Sequence, residues 1–321
     1  MIFITEEQNV RRYKTAVALG LFDGVHRGHR TVIEQAVKRK NDHIKAAVFS
    51  FKTDSITSKG YDGKVEMLLT DNDKNKLFEK LGSDIVFSPD FSHFKDMSAE
   101  DFVRTVLKDK LNACFAVCGE DFRFGRGAQG NAEVLKSLCD KYGIEVCVVK
   151  QLKVNGGVVS STKIRRLIHE GQISKANEML GYTYGYDLPV VHGFELGRTW
   201  NFPTINQEIP QGLVLPRFGV YCSKIYIDGK KYFGVTNIGV KPTVKKDIAP
   251  LAETFIFDFQ GDLYGDMIRI ELCEFVRTER KFDSFGKLKA EIARNIEFAK
   301  KYFAEDMQRG CREERKSGLI P

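Results

Sequence analysis

Two histidines lie three residues apart near the start of the chain, within the string GLFDGVHRGH at residues 20–29. The string follows the apolar run Thr15–Leu19 and precedes a segment with helical spacing, so it predicts a turn between a strand and a helix. The free N–H groups of a helix N-terminus favour an anion, and glycines let the backbone approach a ligand closely. A turn with two surface histidines is the simpler alternative, but the complete string favours a phosphate site. The candidate binding residues are His26, His29, Gly20, Phe22, Asp23 and Gly24.

A second string, SSTKIRR at residues 160–166, places hydroxyl groups directly before bases at the predicted start of a helix. A helix N-terminus attracts phosphate oxygens, and arginine pairs with them through parallel hydrogen bonds. For this string alone, an ordinary N-cap followed by a basic turn is the favoured alternative. Its pairing with the histidine string makes Ser161, Thr162 and Arg165 candidates for binding a triphosphate.

A third string, GEDFRFGR at residues 119–126, follows a predicted strand. Phe122 and Phe124 could flank a planar ring, and Gly119 and Asp121 would stand beside them at the same edge of a sheet. Packing in the core is the alternative for either phenylalanine.

The first half of the chain alternates apolar strands with helical segments, which predicts β-α-β units and a doubly wound parallel sheet. Ligands of such sheets bind at the carboxyl ends of the strands, so the loops after Leu19 and Cys118 carry the candidate site. The predicted strands are Thr15–Leu19, Ala46–Phe51, Asp84–Phe87, Phe115–Cys118 and Glu145–Val149. The predicted helices are Arg30–Lys40, Asp71–Leu81, Ala99–Lys110 and Asn131–Tyr142.

The second half has strands separated by short turns, and the dipeptide Asp228-Gly229 is typical of a hairpin. The predicted strands are Gly219–Tyr226 with its continuation to Ile227, Lys230–Val235, Thr254–Phe259 and Met267–Phe275. This pattern predicts a small antiparallel barrel or sandwich. Apolar residues at spacings of three and four from Phe285 to Phe303 then predict one amphipathic helix, with Ser284 as its N-cap.

The length of 321 residues suggests two domains, and the change of pattern divides them into residues 1–183 and 184–321. The net charge of +7 is spread along the chain without a basic block, so no nucleic-acid partner is expected. No apolar run has the length of a membrane span, and the N-terminus lacks the pattern of a secretory signal. Seven cysteines without a zinc pattern are predicted to be free thiols, and the expected location is the cytoplasm. The sequence makes no prediction of oligomeric state.

In their order along the chain, GLFDGVHRGH, GEDFRFG and SSTKIRRL resemble the adenylyltransferase half of the bacterial bifunctional riboflavin kinase/FMN adenylyltransferases, also called FAD synthetases. The second half resembles their kinase half in a series of ordered strings. These are VHGFELGR at 191–198, NFPTIN at 201–206, GVY at 219–221, GVTNIG at 234–239, KPT at 241–243, ET at 253–254 and DLYG at 262–265. The resemblance implies a Rossmann-like nucleotidylyltransferase domain with a parallel sheet, followed by a small antiparallel β-barrel kinase domain with a C-terminal helix.

The resemblance implies two reactions. Riboflavin and ATP give FMN and ADP, and FMN and ATP then give FAD and pyrophosphate. In the first half it implies that His26 and His29 hold ATP phosphates, while Arg165 stabilises the departing pyrophosphate. The implied partners are therefore the small molecules riboflavin, FMN and ATP, with Mg²⁺ to offset phosphate charge.

In the second half the resemblance implies that Glu253 is the catalytic base, because the ribityl alcohol of riboflavin must lose a proton. It implies that Thr204 and Asn206 hold Mg²⁺ and the ATP phosphates. The other implied residues are Gly193 and Gly197 in a loop over the phosphates, and Arg277 and Phe282 on the flavin side.

Two strings depart from the family pattern. Where the family usually carries Thr-Phe-x-Pro-His-Pro, residues 50–55 read SFKTDS, without either proline or the histidine. The kinase string has Asn201 in place of glycine and Ile205 in place of alanine. The first departure leaves a riboflavin kinase with a weakened adenylyltransferase half as an alternative. Two further alternatives are a flavin-sensing regulator that binds RNA, which only the net charge supports, and a nucleotidylyltransferase for another phosphorylated alcohol, which the kinase-like half opposes.

Overall fold

The structure is a computed structural model that describes residues 1–10, 12–53, 66–192, 204–240 and 250–305. The chain forms two compact units. The first unit comprises residues 1–165 with 179–181, and the second comprises residues 166–178 and those from 182 onward.

Six parallel strands form the sheet of the first unit. They are β1 (Ile2–Ile4), β2 (Lys14–Leu19), β3 (Ile44–Phe49), β4 (Ile85–Phe87), β5 (Ala113–Gly119) and β6 (Glu145–Val149). Their order across the sheet is β1-β4-β3-β2-β5-β6. The strand order reverses between β2 and β5, and ligands of open α/β sheets bind beyond the carboxyl ends of the strands at this switch point. The predicted parallel sheet is confirmed, and its switch point brings the loops after β2 and β5 together.

Helices cover both faces of this sheet, because the side chains of each strand alternate between the faces. One face packs against α1 (Arg27–Val37) and α2 (Asp71–Lys80), where Ala16, Ala18, Ile33 and Phe78 are buried together. The other face carries α4 (Ala132–Lys141) and a helix that begins as α3 (Ala99–Asp101) and continues as a π-helix (Phe102–Lys110). The helix predicted at 99–110 is therefore present, but most of it is widened. The N–H of Leu111 donates to the carbonyl of Val106, five residues back.

A short ribbon and two helices follow β6. A two-stranded ribbon pairs β7 (Lys153–Val154) with β8 (Gly157–Val158) and leads into α5 (Ser161–His169). Helix α6 (Ile173–Leu180) follows and lies mostly within the second unit.

The second unit is a nearly closed barrel of six antiparallel strands. They are β9 (Gly185–Pro189), β10 (Thr204–Glu208), β11 (Gly219–Ile227), β12 (Lys230–Gly239), β13 (Leu251–Ile256) and β14 (Met267–Thr278), in the order β10-β13-β12-β11-β14-β9. The N–H of Val191 donates to the carbonyl of Asn206 at 2.8 Å, which brings the two ends of the sheet together. The predicted hairpin turn is confirmed, since Asp228 and Gly229 both take positive φ between β11 and β12.

The long helix α7 (Phe285–Tyr302) covers one outer face of the barrel. Ser284 caps it as predicted, because its side chain accepts a hydrogen bond from the N–H of Lys287. Phe303 packs on Phe233 of β12, with 4.6 Å between the ring centroids. Around this contact lie Val220, Cys222, Val235, Phe257, Cys273 and Ala299. Strands β1, β9 and β10 were not predicted, and β13 begins three residues before its predicted start.

Candidate active sites

The turn between β2 and α1 takes three left-handed backbone conformations within four residues. Phe22 has a φ of 48°, Gly24 of 80° and Val25 of 36°. A left-handed conformation strains a β-branched residue such as Val25, and such strain clusters at ligand sites. A Cβ on Gly24 would lie 2.5 Å from Leu68 Cδ1, so the turn requires a glycine at this position. This strained turn lies within residues 20–29, the string that is predicted to bind phosphate.

His26 and His29 form a stacked pair at the start of α1, with 3.5 Å between ring centroids. His26 caps the helix, because its Nδ1 accepts a hydrogen bond from the N–H of His29 at 3.2 Å. The neutral His26 ring therefore carries its proton on Nε2, where it can donate to an anion. Burial lowers the pKa of His26 to about 4, and burial also lowers the pKa of His29. His29 Nδ1 is buried and has no hydrogen-bond partner among the described residues.

Asp23 organises the same turn from inside the protein. One of its carboxylate oxygens accepts the N–H of Leu68 at 2.8 Å, and the other pairs with Arg165 of α5. The Asp23 carbonyl accepts the hydroxyl of Ser161 at 2.7 Å. Burial raises the pKa of Asp23, while Arg165 opposes that effect. The second predicted string is thus joined to the first, because Asp23 holds Arg165. The Nε of Arg165 is buried and has no hydrogen-bond partner in the described part of the chain. Thr162, the third candidate in that string, is exposed.

The loop after β5 lies beside this turn, since the charge of Asp121 acts on His26. A Cβ on Gly119 would approach Asp121 Oδ1 to 2.8 Å, so the glycine allows the close turn. Phe122 and Phe124 stack with 5.6 Å between their centroids. Phe124 is buried and belongs to the hydrophobic core. Phe122 is only partly buried and keeps surface that a ligand ring could contact.

A buried lysine that sequence reasoning missed lies next to the turn. Lys74 of α2 is only 1% exposed, and its Nζ contacts Asp71 Oδ1 and the carbonyl of Phe51, each at 3.0 Å. The N–H and hydroxyl of Thr53 both donate to Asp71. These bonds hold residues 51–53, the described start of the loop that departs from the family pattern. Asp54 and Ser55 of that loop lie outside the described residues.

The second candidate site lies on the outer barrel face. Asn206 of β10 stands directly opposite Glu253 of β13, and directly paired residues project to the same face. Thr204, two residues before Asn206, shares this face. Asn206 is buried, and its Oδ1 has no hydrogen-bond partner among the described residues. The barrel therefore brings together a carboxylate, an amide oxygen and a hydroxyl, the three groups that the family resemblance assigns to the kinase half.

Asn237 of β12 was not a candidate, although it is part of the string GVTNIG. It stands opposite Glu253 on the other side from Asn206, so Glu253 lies between two amides. Gly193, Gly197 and Asn201 lie outside the described residues.

Arg277 and Phe282 lie together at the edge of α7, with the guanidinium 5.7 Å from the ring centroid. Arg277 Nε is 3.1 Å from Glu291 Oε1 and 3.2 Å from Asn295 Oδ1, both on α7. These contacts give Arg277 a role in fastening the helix to β14.

The first unit thus places a glycine-rich turn with two stacked histidines at the switch point of a parallel sheet, and the second places a carboxylate opposite an amide. Such arrangements are typical of a transferase that acts on phosphate groups. A family model described as FAD synthetase matches residues 8–163, and one described as riboflavin kinase matches residues 180–303. The chain belongs to the family of bifunctional riboflavin kinase/FMN adenylyltransferases.

Relatives that carry this name match nearly the whole chain. The protein of Listeria monocytogenes is 34% identical over 292 residues, which cover 90% of this chain and 92% of that protein. The protein of Bacillus subtilis is 34% identical, covering 94% of this chain and 95% of the relative. The protein of Escherichia coli K12 is 33% identical, covering 89% and 92%. These matches favour the bifunctional enzyme over the three alternatives.

A solved structure described as a macrolide-efflux protein from Streptococcus pneumoniae has a TM-score of 0.81 to this chain at 28% identity. The match covers 92% of this chain and 97% of the other. Within the described residues, no helix combines the length and apolar character needed to cross a membrane.

Proposed function

We propose that this protein phosphorylates riboflavin to FMN and then transfers an adenylyl group from ATP to FMN, giving FAD. We assign adenylyl transfer to residues 1–183 and phosphorylation to residues 184–321, in line with the two family matches. The observation that carries the proposal is that each half pairs its family match with a site of suitable chemistry. Those sites are the stacked histidines at the switch point and the Glu253–Asn206 pair on the barrel.

Adenylyl transfer needs positioning rather than a base. The FMN phosphate is already an oxyanion, and it attacks the α-phosphorus of ATP as pyrophosphate leaves. His26 and His29, as neutral rings, donate hydrogen bonds to phosphate oxygens, and the N-terminus of α1 adds its N–H groups. Arg165, held by Asp23, faces the departing pyrophosphate in this proposal.

Phosphorylation of riboflavin does need a base, because an alcohol is a poor nucleophile until its proton is removed. Glu253 accepts the proton of the ribityl hydroxyl as that oxygen attacks the γ-phosphorus and ADP leaves. Asn206 and Asn237 stand directly opposite Glu253 on the two neighbouring strands, so their amides flank the carboxylate on the barrel face.

A magnesium ion fits the second site. Thr204 and Asn206 offer oxygen ligands, and the buried Asn206 Oδ1 has no partner in the described part of the chain. Magnesium is commonly held by few protein ligands together with substrate phosphates and water. The ion would neutralise phosphate charge during transfer.

Small molecules are the proposed partners, without a nucleic acid. The ATP requirement and six cysteines that are free in the structure support a cytoplasmic location.

A product assay tests the proposal with riboflavin and FMN supplied separately, each with ATP and Mg²⁺. Glu253→Gln should lower FMN formation by roughly 100- to 10,000-fold while FAD formation from supplied FMN continues. His29→Ala should lower FAD formation by about 100-fold while FMN formation continues.

Exposed residues of the same types provide matched controls, Glu208→Gln on β10 and His43→Ala before β3. Loss of both reactions in either site variant, with the protein still folded, would contradict two separate sites. If the unaltered protein forms FMN but no FAD, only the kinase part of the proposal would stand.

A further inference from the structure

Lys74 joins two loops at the carboxyl edge of the parallel sheet. It follows residues 68–73, and this short stretch touches the strained turn after β2 at one end. There the N–H of Leu68 donates to Asp23, and the Leu68 side chain packs against Gly24. At the other end, Lys74 Nζ donates to the carbonyl of Phe51, two residues beyond β3. Residues 68–74 therefore form a brace between neighbouring strand ends.

Burying this ammonium group is costly. Lysine is almost never fully buried unless it is paired, and water must be removed from its charge. Here Asp71 pairs with it at 3.0 Å, and the Thr53 hydroxyl lies 3.4 Å away. Although burial favours the neutral acid, Lys74 and Thr53 hold the pKa of Asp71 below its ordinary value. An apolar side chain could fill the same space. Lysine differs from such a side chain by its hydrogen bonds to the Phe51 carbonyl and the Thr53 hydroxyl.

The loop that receives these bonds has few other constraints in its sequence. Residues 50–53 contain no proline, so none of their φ angles is fixed by a ring. The described start of the loop is held by Ser50, whose hydroxyl donates to the Leu21 carbonyl, and by the Lys74 and Asp71 contacts. Both anchors connect the loop to the phosphate turn or to the brace.

We infer that Lys74 is a positioning residue for adenylyl transfer, which fixes residues 50–53 after β3 relative to the phosphate turn after β2. This inference rests on the proposed function of the first unit. Lys74 does not bond to the turn after β2 itself. Its positive charge nevertheless favours the ionised form of Asp23 in that turn. A displacement of about 1 Å between groups that align two substrates can lower a rate by about 100-fold. Loss of the brace should therefore slow the chemical step more than it weakens ATP binding.

The test compares Lys74→Met and Thr53→Val with the unaltered protein. Lys80→Met is the matched control, because it makes the same change at an exposed position on the same helix. The kinetic constants of FAD formation are measured with supplied FMN and ATP, together with FMN formation from riboflavin and the melting temperature. Thr53→Val removes the loop-side hydroxyl and leaves the buried charge pair, so it tests the inference even if Lys74→Met fails to fold.

The expected result for Lys74→Met is a kcat for FAD formation lowered by roughly 10- to 100-fold, with the KM for ATP within about twofold of the unaltered value. Thr53→Val should lower kcat about threefold to tenfold, and its effect should be smaller when Lys74 is already replaced. FMN formation should not change in any variant. A kcat for FAD formation equal to the unaltered value in folded Lys74→Met or in Thr53→Val would overturn the inference. If the unaltered protein itself made no FAD, the proposed adenylyltransferase would fail and the role of Lys74 with it.

Discussion

His26 makes the first unit sensitive to acid, and His26→Asn should remove much of that sensitivity. Asparagine is a good N-cap, so it can still accept the N–H of His29 at the start of α1. It has no titratable group. The substitution therefore separates the capping function of the residue from its protonation.

The expected magnitude follows from the pKa of His26. Burial lowers it to about 4 in the folded protein, against 6.5 for an ordinary histidine. Between these values the unfolded chain binds a proton that the folded protein does not, so stability is present above pH 6.5 and is lost as the pH falls toward 4. The complete loss is about 3 kcal/mol, and about 2 kcal/mol of it falls between pH 7 and pH 5.

The assay is urea unfolding at pH 7 and pH 5, followed by hydrogen exchange and mass spectrometry. Peptides from β2 and β3 report the free energy of unfolding of the first unit, and peptides from β11 and β12 report the second. The difference between the two pH values is compared for the unaltered protein, His26→Asn and His43→Asn. His29 is also buried in all three proteins, so its main contribution to the loss of stability is common to them, and only the smaller part of its lowered pKa that comes from His26 differs in His26→Asn.

The first unit of the unaltered protein and of His43→Asn should lose about 2 kcal/mol more than that of His26→Asn between pH 7 and pH 5. Peptides of the second unit should show the same loss in all three proteins. Equal losses in the first unit of all three would refute the argument that burial keeps His26 neutral.

Two further pairs of substitutions test the packing that supports the sites. Gly24→Ala should destabilise the first unit by about 2–4 kcal/mol in urea unfolding, because it adds a methyl group at φ 80° and 2.5 Å from Leu68. Gly156→Ala, at φ 76° with nothing within 4 Å, should cost only about 1–2 kcal/mol. Phe303→Ala should cost the second unit about 3–5 kcal/mol because the ring is buried on Phe233, whereas the half-exposed Phe298→Ala should cost under about 1 kcal/mol. Equal costs within either pair would contradict the packing described.

The fold was predictable where patterns are long. The strand–helix alternation, the Asp228-Gly229 hairpin and the helix capped by Ser284 all follow from local sequence. Strand β1 was missed because it has three residues at a sheet edge, two of them exposed, and no alternation. Strands β9 and β10 become strands by closing a barrel, which depends on partners distant in the sequence. The π-helix also escaped prediction, because over nine residues its buried positions match those of an α-helix.

Strings of polar residues and glycines located the candidate sites in the sequence. They did not indicate which charged side chains are buried or which partners hold them. Among the residues DNDKNK of α2, nothing distinguishes Lys74 from Lys76, since both belong to a polar helix sequence. Only the tertiary structure buries one and exposes the other. In the same way, Arg165 was expected to face phosphates, and the sequence did not indicate that Asp23 holds it.

The charges of the first site lead to one conclusion about its ligand. His26 and His29 are kept neutral by burial, Arg165 is paired with Asp23, and Lys74 is paired with Asp71. These side chains therefore carry no net charge, although the whole chain carries +7. A triphosphate carries several negative charges, and the N–H groups of a helix N-terminus offset only about half of one. In the proposed function the two histidines therefore orient phosphate oxygens rather than neutralise their charge.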